Sequence, residues 1–224
     1  MTTLGLIGAG NIGGTLARLT VAANDEALIS NSRGPETLAE LVAELGPRAR
    51  AVTAGEAAAG GDLVVVTVPL RAYDSLPAAE LAGKVVIDTG NYYPARDGQI
   101  PELESGSLTS GELLQERLPG ARVVKCFNNI LFRHLQELAR PAGSPERTAL
   151  PIAGDDPEAK ATVTAFLNEI GYDAVDAGAL RDSRKFQPGT PLYGSVYAGG
   201  NPDFGASPGE PAGVEVIRRL LESA

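Results

Sequence analysis

Short apolar runs alternate along the chain with segments in which apolar residues recur at helical spacing. Several of these runs are continuous and show no alternation of polar and apolar positions, which is typical of parallel strands covered on both faces. The runs predict eight strands, at Leu4–Ile7, Ala27–Ser30, Arg50–Thr53, Leu63–Val68, Val85–Asp88, Arg122–Phe127, Leu150–Ala153 and Ala174–Asp176.

Helices are predicted between these strands. The first carries Ile12, Leu16 and Leu19 on one face, and a later helix begins at Asp156-Pro157, an N-cap acceptor followed by proline. A second capping pattern is Thr109-Ser110-Gly111-Glu112. This order of elements predicts an α/β fold, a Rossmann-type doubly wound, mainly parallel sheet of about eight strands with a short irregular C-terminal extension.

Two segments lack a regular pattern. Residues 91–110 are predicted to form a polar loop that covers one edge of a cleft, and residues 186–213 are rich in glycine and proline. A short helix is predicted at Val214–Glu222. We expect residues 1–180 to form the nucleotide-binding domain, and residues 181–224 to complete the substrate cleft and contribute to a homodimer contact.

Composition narrows the function classes. Among 224 residues, 19 Lys and Arg face 28 Asp and Glu, a net charge of −9, which argues against nucleic-acid and anionic-membrane partners. Cys126 and His134 are the only residues of their types, so no zinc, haem or iron–sulfur pattern built on several such ligands is present and no metal is expected. We expect a cytoplasmic protein, with Cys126 an inert core thiol and His134 on the surface.

The strongest motif is a glycine-rich turn, Gly8-Ala9-Gly10-Asn11-Ile12-Gly13, which directly follows the first predicted strand and begins the first helix. In this context Gly8 permits the tight turn, Gly10 allows the backbone to approach a pyrophosphate, and Gly13 allows close packing of helix and strand. The motif predicts a dinucleotide bound at the helix N-terminus.

The end of the second predicted strand indicates which dinucleotide binds. An NAD site usually has an Asp or Glu here for the ribose 2′-hydroxyl, whereas this chain has Ser32 and Arg33. A hydroxyl and a guanidinium suit a 2′-phosphate, so NADP is predicted.

The chain resembles the F420-dependent NADP oxidoreductases, which pass a hydride between NADPH and the deazaflavin coenzyme F420. The resemblance rests on the glycine turn, Ser32-Arg33, Val66-Thr67-Val68-Pro69, Ala153-Gly154-Asp155-Asp156 and Asp176-Ala177-Gly178-Ala179-Leu180, and extends to about residue 187. It implies NADP as cofactor and coenzyme F420 as co-substrate.

The resemblance also implies roles for individual residues. Gly8, Ala9, Gly10, Asn11 and Ile12 would hold the pyrophosphate. The 2′-phosphate would lie on Ser32 and Arg33, with Thr37 near the place of a lysine that often assists. The ribose sites would be bordered by Val68, Pro69 and Leu70, and the nicotinamide would lie beside Asn128, Asn129 and Ile130. Asn128 stands where the deazaflavin enzymes lead us to expect histidine.

Hydride transfer between stacked rings needs orientation and exclusion of water but no protein nucleophile, so no catalytic residue is predicted. For the second substrate we single out Tyr92, Tyr93, Arg133 and Arg184. Two alternatives remain at this stage. One is an NADPH-dependent reductase of a flavin, quinone, imine or small carbonyl compound, with Tyr92, Tyr93 or His134 as proton donor. The other is a non-catalytic NADP(H) sensor.

Overall fold

The computed structural model describes residues 1–224 and contains eight strands. They are β1 Thr3–Ile7, β2 Glu26–Ser30, β3 Ala49–Ala51, β4 Leu63–Val66, β5 Val85–Asp88, β6 Arg122–Lys125, β7 Ala149–Gly154 and β8 Asp173–Asp176. One sheet contains all of them in the order β3-β2-β1-β4-β5-β6-β7-β8. Every neighbouring pair is parallel except β6 and β7. The predicted Rossmann-type, mainly parallel sheet is confirmed.

Nine α-helices lie in the connections between strands, and a tenth follows β8. They are α1 Asn11–Ala22, α2 Ala39–Leu45, α3 Ala54–Gly60, α4 Ala78–Leu81, α5 Pro94–Asp97, α6 Pro101–Glu104, α7 Ser110–Arg117, α8 Phe132–Glu137, α9 Pro157–Glu169 and α10 Val214–Glu222. Shorter 3₁₀ turns occupy Pro35–Leu38, Leu70–Ser75, Leu180–Phe186 and Ser195–Ala198. Both predicted capping patterns are confirmed, since Asp156 accepts from the first turn of α9 and Thr109 forms a capping box with Glu112.

The strands between the two edge strands are buried on both faces, which explains the continuous apolar runs. In β4, Leu63 and Val65 belong to the larger core, which also contains residues of α1, α8, α9 and α10. Val64 and Val66 belong to the smaller core on the opposite face, against α3 and α7. Because neighbouring side chains of a strand enter different cores, no position of β4 faces water.

Two predicted strands end earlier than expected. The third was predicted to reach Thr53, but the hydroxyl of Thr53 accepts from Glu56 N and caps α3, so β3 stops at Ala51. The fourth was predicted to reach Val68 and stops at Val66, three residues before Pro69, which has no N–H for a sheet bond.

The sixth strand also ends early, at Lys125 and not at Phe127. Phe127 has a φ of 64°, which an extended strand does not accommodate. The polar segment 91–110, predicted as loop, contains the one-turn helices α5 and α6.

The order of the strands in the sheet places a crevice at the carboxyl ends of the central strands. The chain passes from β1 to β2 on one side, and later to β4 on the other side of β1. In open parallel sheets such a reversal leaves a crevice at the carboxyl ends of the strands. The segments that follow β1, β4, β5 and β6 therefore meet at this edge.

Candidate functional site

A cleft of about 410 Å³ opens at the carboxyl ends of β1, β4, β5 and β6. Segments from four strand ends and from the C-terminal extension form its walls. Its lining residues are Gly10, Asn11, Ile12, Thr67, Val68, Pro69, Thr89, Gly90, Asn91, Tyr93, Arg96, Phe127, Asn128, Asn129, Ile130, Leu131, Phe132, Tyr193, Gly194 and Phe204.

The three glycines of the turn occupy different environments. A Cβ on Gly8 would lie 2.3 Å from the Thr67 carbonyl oxygen, and one on Gly13 would lie 2.1 Å from the Gly8 carbonyl oxygen. A Cβ on Gly10 would meet nothing within 4 Å. Gly8 and Gly13 are therefore fixed by close backbone packing, whereas Gly10 borders the open cleft.

The first turn of α1 presents unpaired donors to this cleft. Gly10 is the N-cap residue, no side chain caps the helix, and the first turn contains no acidic residue. The first bond along the helix runs from Gly14 N to Gly10 O at 2.8 Å, so the preceding N–H groups remain free. Free N–H groups at the positive end of a helix dipole fit a pyrophosphate.

Two buried amides line the cleft beside the turn. Asn128 is 5% exposed and Asn129 is 1% exposed. Asn128 Nδ2 donates to Phe186 O at 3.1 Å, and Asn129 Nδ2 donates to Leu192 O at 2.9 Å, but neither Oδ1 has a partner. Because an unpaired buried oxygen costs free energy, these atoms favour a ligand with N–H donors, such as the carboxamide of a nicotinamide.

Phe127 forms the floor of the cleft in a strained conformation. Its φ of 64° is unusual for a bulky residue, and its ring packs edge-on against Phe166 at 6.5 Å between centroids. The left-handed backbone at Phe127 immediately precedes the two amides, and strain of this kind is concentrated at functional sites.

A second groove, of about 520 Å³, runs along the other side of Gly10 and Asn11. Ala9 and Arg133 line this groove and not the cleft, and Arg133 donates to Gly205 O. Arg18 also lines it and pairs with Glu44 at 2.7 Å.

The loop after β2 is ordered by its own polar groups. Arg33 N donates to Asn31 Oδ1 at 2.9 Å, and the hydroxyl of Thr37 donates to Gly34 O at 2.8 Å. Thr37 also accepts from Asn31 Nδ2, so its hydroxyl is occupied within the loop. Ser32 and Arg33 are exposed, and no carboxylate pairs with the Arg33 guanidinium.

A buried ionic network lies beneath the cleft, and sequence reasoning missed it. Lys125 Nζ lies 2.7 Å from Asp88 Oδ2 and also donates to Gly90 O and to Ser110 Oγ. Tyr73 donates to Asp88 Oδ1 at 3.1 Å. Burial lowers the pKa of Lys125, while burial and the Asp88 carboxylate raise the pKa of Tyr73. The sequence signal for this network was a lysine, Lys125, at the end of an otherwise apolar run.

Of the three residues expected at the ribose sites, two line the cleft and one does not. Val68 and Pro69 line the cleft, but Leu70 is buried in the smaller core and does not. Asn11, Ile12, Asn128, Asn129 and Ile130 come together in the cleft.

Of the residues expected at the second-substrate site, only Tyr93 lines the cleft. Tyr93 lines the cleft, whereas Tyr92 lines a smaller pocket and donates to Gly98 O at 3.0 Å. Arg184 lies outside the cleft, where its Nε donates to Arg181 O at 3.0 Å. Residues 186–213 could not be placed from the sequence, because they have no periodic pattern.

The prediction that His134 lies on the surface was wrong, and the prediction that Cys126 lies in the core is confirmed. His134 is 1% exposed because the C-terminal extension covers it, and its Nε2 lies 2.9 Å from Ser207 O. Cys126 is fully buried, and burial raises the pKa of its thiol.

An aromatic wall that the sequence did not predict closes the cleft opposite the turn. Tyr93 Oη and Tyr193 Oη are 2.5 Å apart, and the Arg96 guanidinium lies 4.9 Å from the centre of the Tyr93 ring. Tyr193 packs edge-on against Phe204 at 5.8 Å. Only the aromatic content of residues 186–213 indicated a role for this segment.

Two structural findings concern metal sites and membrane-spanning helices. No group of three or more His, Cys, Asp or Glu residues lies in an arrangement that would hold a metal ion. No helix combines the length and the apolar composition needed to cross a bilayer.

The sheet, the glycine turn and the cleft define a protein of the Rossmann-type NADP-dependent oxidoreductase class. Residues 3–92 match the family model described as NADP oxidoreductase, coenzyme F420-dependent. The chain is 27% identical over 199 residues to an F420-dependent NADP reductase of Methanothermobacter thermautotrophicus, with 83% of this chain and 84% of that protein covered. The chain is therefore similar to the coenzyme F420-dependent NADP oxidoreductases, by the family model over residues 3–92 and by this reductase over most of its length.

Other relatives show how broadly this fold is used. Metalloreductase STEAP3 of Rattus norvegicus is 30% identical over 186 residues, which cover 82% of this chain but only 35% of the rat protein. A hypothetical protein from Sinorhizobium meliloti superimposes with a TM-score of 0.75 at 32% identity, over 86% of this chain and 93% of that chain. A protein from Arthrobacter sp. FB24, provisionally described as an F420-dependent NADP reductase, gives 0.66 at 26% identity, over 82% and 87%.

Proposed function

We propose that this protein transfers a hydride between NADP(H) and coenzyme F420 in the cleft at the carboxyl edge of the sheet. One observation carries the proposal. The free N–H groups after Gly10 lie on the same cleft as Asn128 and Asn129, whose buried side-chain oxygens have no hydrogen-bond partner. A dinucleotide that satisfies both has its pyrophosphate on the turn and its nicotinamide beside the amides.

The residues that would hold the cofactor follow from this placement. Backbone N–H groups at Asn11 and Ile12 bind the pyrophosphate, and Ala9 borders it from the second groove. Val68 and Pro69 pack beside the nicotinamide ribose, while Asn128 Oδ1 accepts from the carboxamide. The bound cofactor supplies or accepts the hydride at its nicotinamide ring.

Selectivity for NADP over NAD is assigned to the loop after β2. The exposed Arg33 guanidinium has no carboxylate partner, and Ser32 beside it carries a hydroxyl. A 2′-phosphate would receive charge-assisted hydrogen bonds from both. Thr37 contributes indirectly, because its hydroxyl orders the loop that presents them.

The acceptor side of the cleft suits a flat aromatic ring. The residues Tyr193 and Phe204 line it, and no carboxylate does, so a ring with an anionic side chain meets no repulsion there. The F420-dependent reductase among the relatives supports the deazaflavin over the other acceptors. The chain's own task is to hold two rings in contact and exclude water.

The test is a spectrophotometric assay of the purified protein with NADPH and oxidised coenzyme F420, which follows loss of the deazaflavin's visible absorbance. We expect bleaching with NADPH and much slower bleaching with NADH. An Arg33→Ala variant is assayed beside the wild type. An Arg219→Ala variant, which alters an exposed arginine on α10, is its matched control. Binding of NADPH without bleaching would refute the deazaflavin acceptor; the same assay is then run with a flavin, a quinone and an imine.

We further propose that residues 181–224 complete this cleft, because Tyr193, Gly194 and Phe204 line it. A homodimer and a cytoplasmic location remain predictions from the sequence. Sedimentation of the purified protein at several concentrations tests the first of these.

A further inference from the structure

A hydride acceptor also needs a proton. When a carbonyl, an imine, a quinone or a deazaflavin ring takes a hydride, a negative charge develops on oxygen or nitrogen and one proton neutralises it. In general a positioned acid within hydrogen-bond reach supplies that proton.

Few groups in the cleft can act as this acid. No histidine, lysine, cysteine, aspartate or glutamate lines the cleft, and the Arg96 guanidinium holds its proton too strongly to donate it. The remaining acidic groups are the phenols of Tyr93 and Tyr193. Tyr92 and His134, both considered from the sequence, lie outside the cleft and are hydrogen-bonded to backbone carbonyls.

The two phenols form a path between the cleft and water. Their oxygens are 2.5 Å apart, although the residues lie 100 positions apart in the chain. Tyr193 is partly buried against Phe204, whereas Tyr93 is 37% exposed. A proton lost from Tyr193 can therefore be replaced through Tyr93 from solvent.

Tyr193 is held firmly in this position. The next residue, Gly194, donates its N–H to Asn129 O at 2.9 Å. Asn129 in turn donates from its side chain to Leu192 O at 2.9 Å. The loop that carries Tyr193 is thus tied to the same strand end that borders the nicotinamide site.

Charges around the pair favour proton transfer. Arg96 lies over the Tyr93 ring, and Asp97 binds Arg96 at 2.8 Å. The cation stabilises a transient phenolate in the pair. Burial, and next the hydrogen bond with Tyr93, raise the pKa of Tyr193, whereas the Arg96 cation acts in the opposite direction and offsets part of the cost of forming the phenolate.

We propose that Tyr193 is the catalytic acid of the reduction and that Tyr93 relays the replacement proton from solvent. This assignment rests on the function proposed above. The acceptor gains a hydride, with both electrons of the broken C–H bond, from NADPH, which becomes NADP⁺. It also gains the proton released when the O–H bond of Tyr193 breaks, and the Tyr193 oxygen recovers a proton from Tyr93, which takes one from water. The acceptor class is therefore one that takes a hydride and a proton together, and not a metal ion that takes one electron.

The kinetic test compares Tyr193→Phe and Tyr93→Phe with Tyr172→Phe in single-turnover reduction of coenzyme F420 by NADPH. Tyr172 is a buried phenol outside the cleft, bonded to Leu135 O, and serves as the matched control. We expect Tyr193→Phe to slow reduction by about 100-fold or more with unchanged NADPH affinity, and Tyr93→Phe to slow it less. The rate in Tyr193→Phe should fall as pH rises, because solvent becomes the proton source.

A second readout needs no ligand. In protein labelled at tyrosine Cζ, the NMR signal of Tyr193 should shift in Tyr93→Phe relative to the wild type and stay in place in Tyr172→Phe, since only the first variant loses the hydrogen bond between the two phenols. An unchanged Tyr193 signal in Tyr93→Phe would overturn the relay. A rate in Tyr193→Phe within about threefold of the wild type, or a loss equal at every pH, would overturn the acid role. Absence of wild-type reduction would overturn the proposed function and this assignment with it.

Discussion

Lys125 Nζ lies 2.7 Å from Asp88 Oδ2, and both side chains are buried beneath the carboxyl edge of the sheet. The same ammonium group donates to Gly90 O, and Gly90 lines the cleft. The ion pair therefore links the stability of the sheet to the shape of the nicotinamide end of the cleft.

Replacement of Lys125 by methionine should be strongly destabilising. The Asp88 carboxylate would remain buried without its cation, which costs about 3–5 kcal/mol of unfolding free energy. Urea unfolding measures the loss. Lys185→Met, which breaks a half-exposed pair with Asp182 at 3.8 Å, is the control and should change stability by less than about 1 kcal/mol. Equal effects of the two substitutions would contradict the ion pair's role.

Substitution by alanine should have different effects at the packed Gly13 and at the open Gly10 of the glycine turn. Gly13→Ala forces a Cβ against the Gly8 carbonyl oxygen, so we expect a loss of about 1–3 kcal/mol in unfolding free energy. Gly10→Ala meets open space, so the fold should stay as stable as the wild type. NADPH titration of Gly10→Ala should nevertheless show about tenfold weaker binding or worse. Unaltered NADPH affinity would show that the pyrophosphate lies elsewhere.

The Arg33 guanidinium should distinguish the two nicotinamide cofactors. Its removal in Arg33→Ala takes away charged hydrogen bonds to the 2′-phosphate, and we expect roughly 10- to 100-fold weaker NADPH binding. NADH binding should stay the same, because NADH lacks that phosphate. Calorimetry with both cofactors measures the difference, and Arg219→Ala should affect neither. A parallel loss of NADH affinity would point to a role in loop folding.

The buried Cys126 thiol should be chemically silent in the folded protein. Burial raises its pKa, so the thiolate needed for reaction with a disulfide reagent does not form at neutral pH. We expect labelling only when urea unfolds the chain. Rapid labelling of the native protein would contradict the burial of this strand end.

The same thiol should make stability depend on alkaline pH. Above a pH of about 8.5 the unfolded chain releases the thiol proton while the folded chain retains it. The unfolded state then binds fewer protons, so the unfolding free energy falls as pH rises, by up to about 1.4 kcal/mol per pH unit. Below that pH this contribution to the slope vanishes. Cys126→Ala should have a shallower alkaline slope than the wild type, and identical slopes would count against the buried thiol.

Local signals determined most of the fold. Apolar runs, several of them continuous, together with glycine and capping residues, identified the order of elements, because parallel strands covered on both faces are apolar throughout. Gly8, Gly10 and Gly13 indicated the dinucleotide turn by spacing alone, since each requirement is met within six consecutive residues.

Tertiary structure alone decided what faces the turn. The Tyr93–Tyr193 pair, the Lys125–Asp88 ion pair and the burial of His134 under Ser207 join residues far apart in the chain. Such contacts depend on how the irregular extension packs against several strand ends. A local periodic pattern in the sequence carries no information about that packing. The sequence by itself therefore determined the sheet and the cofactor turn, whereas the acceptor wall came from long-range packing.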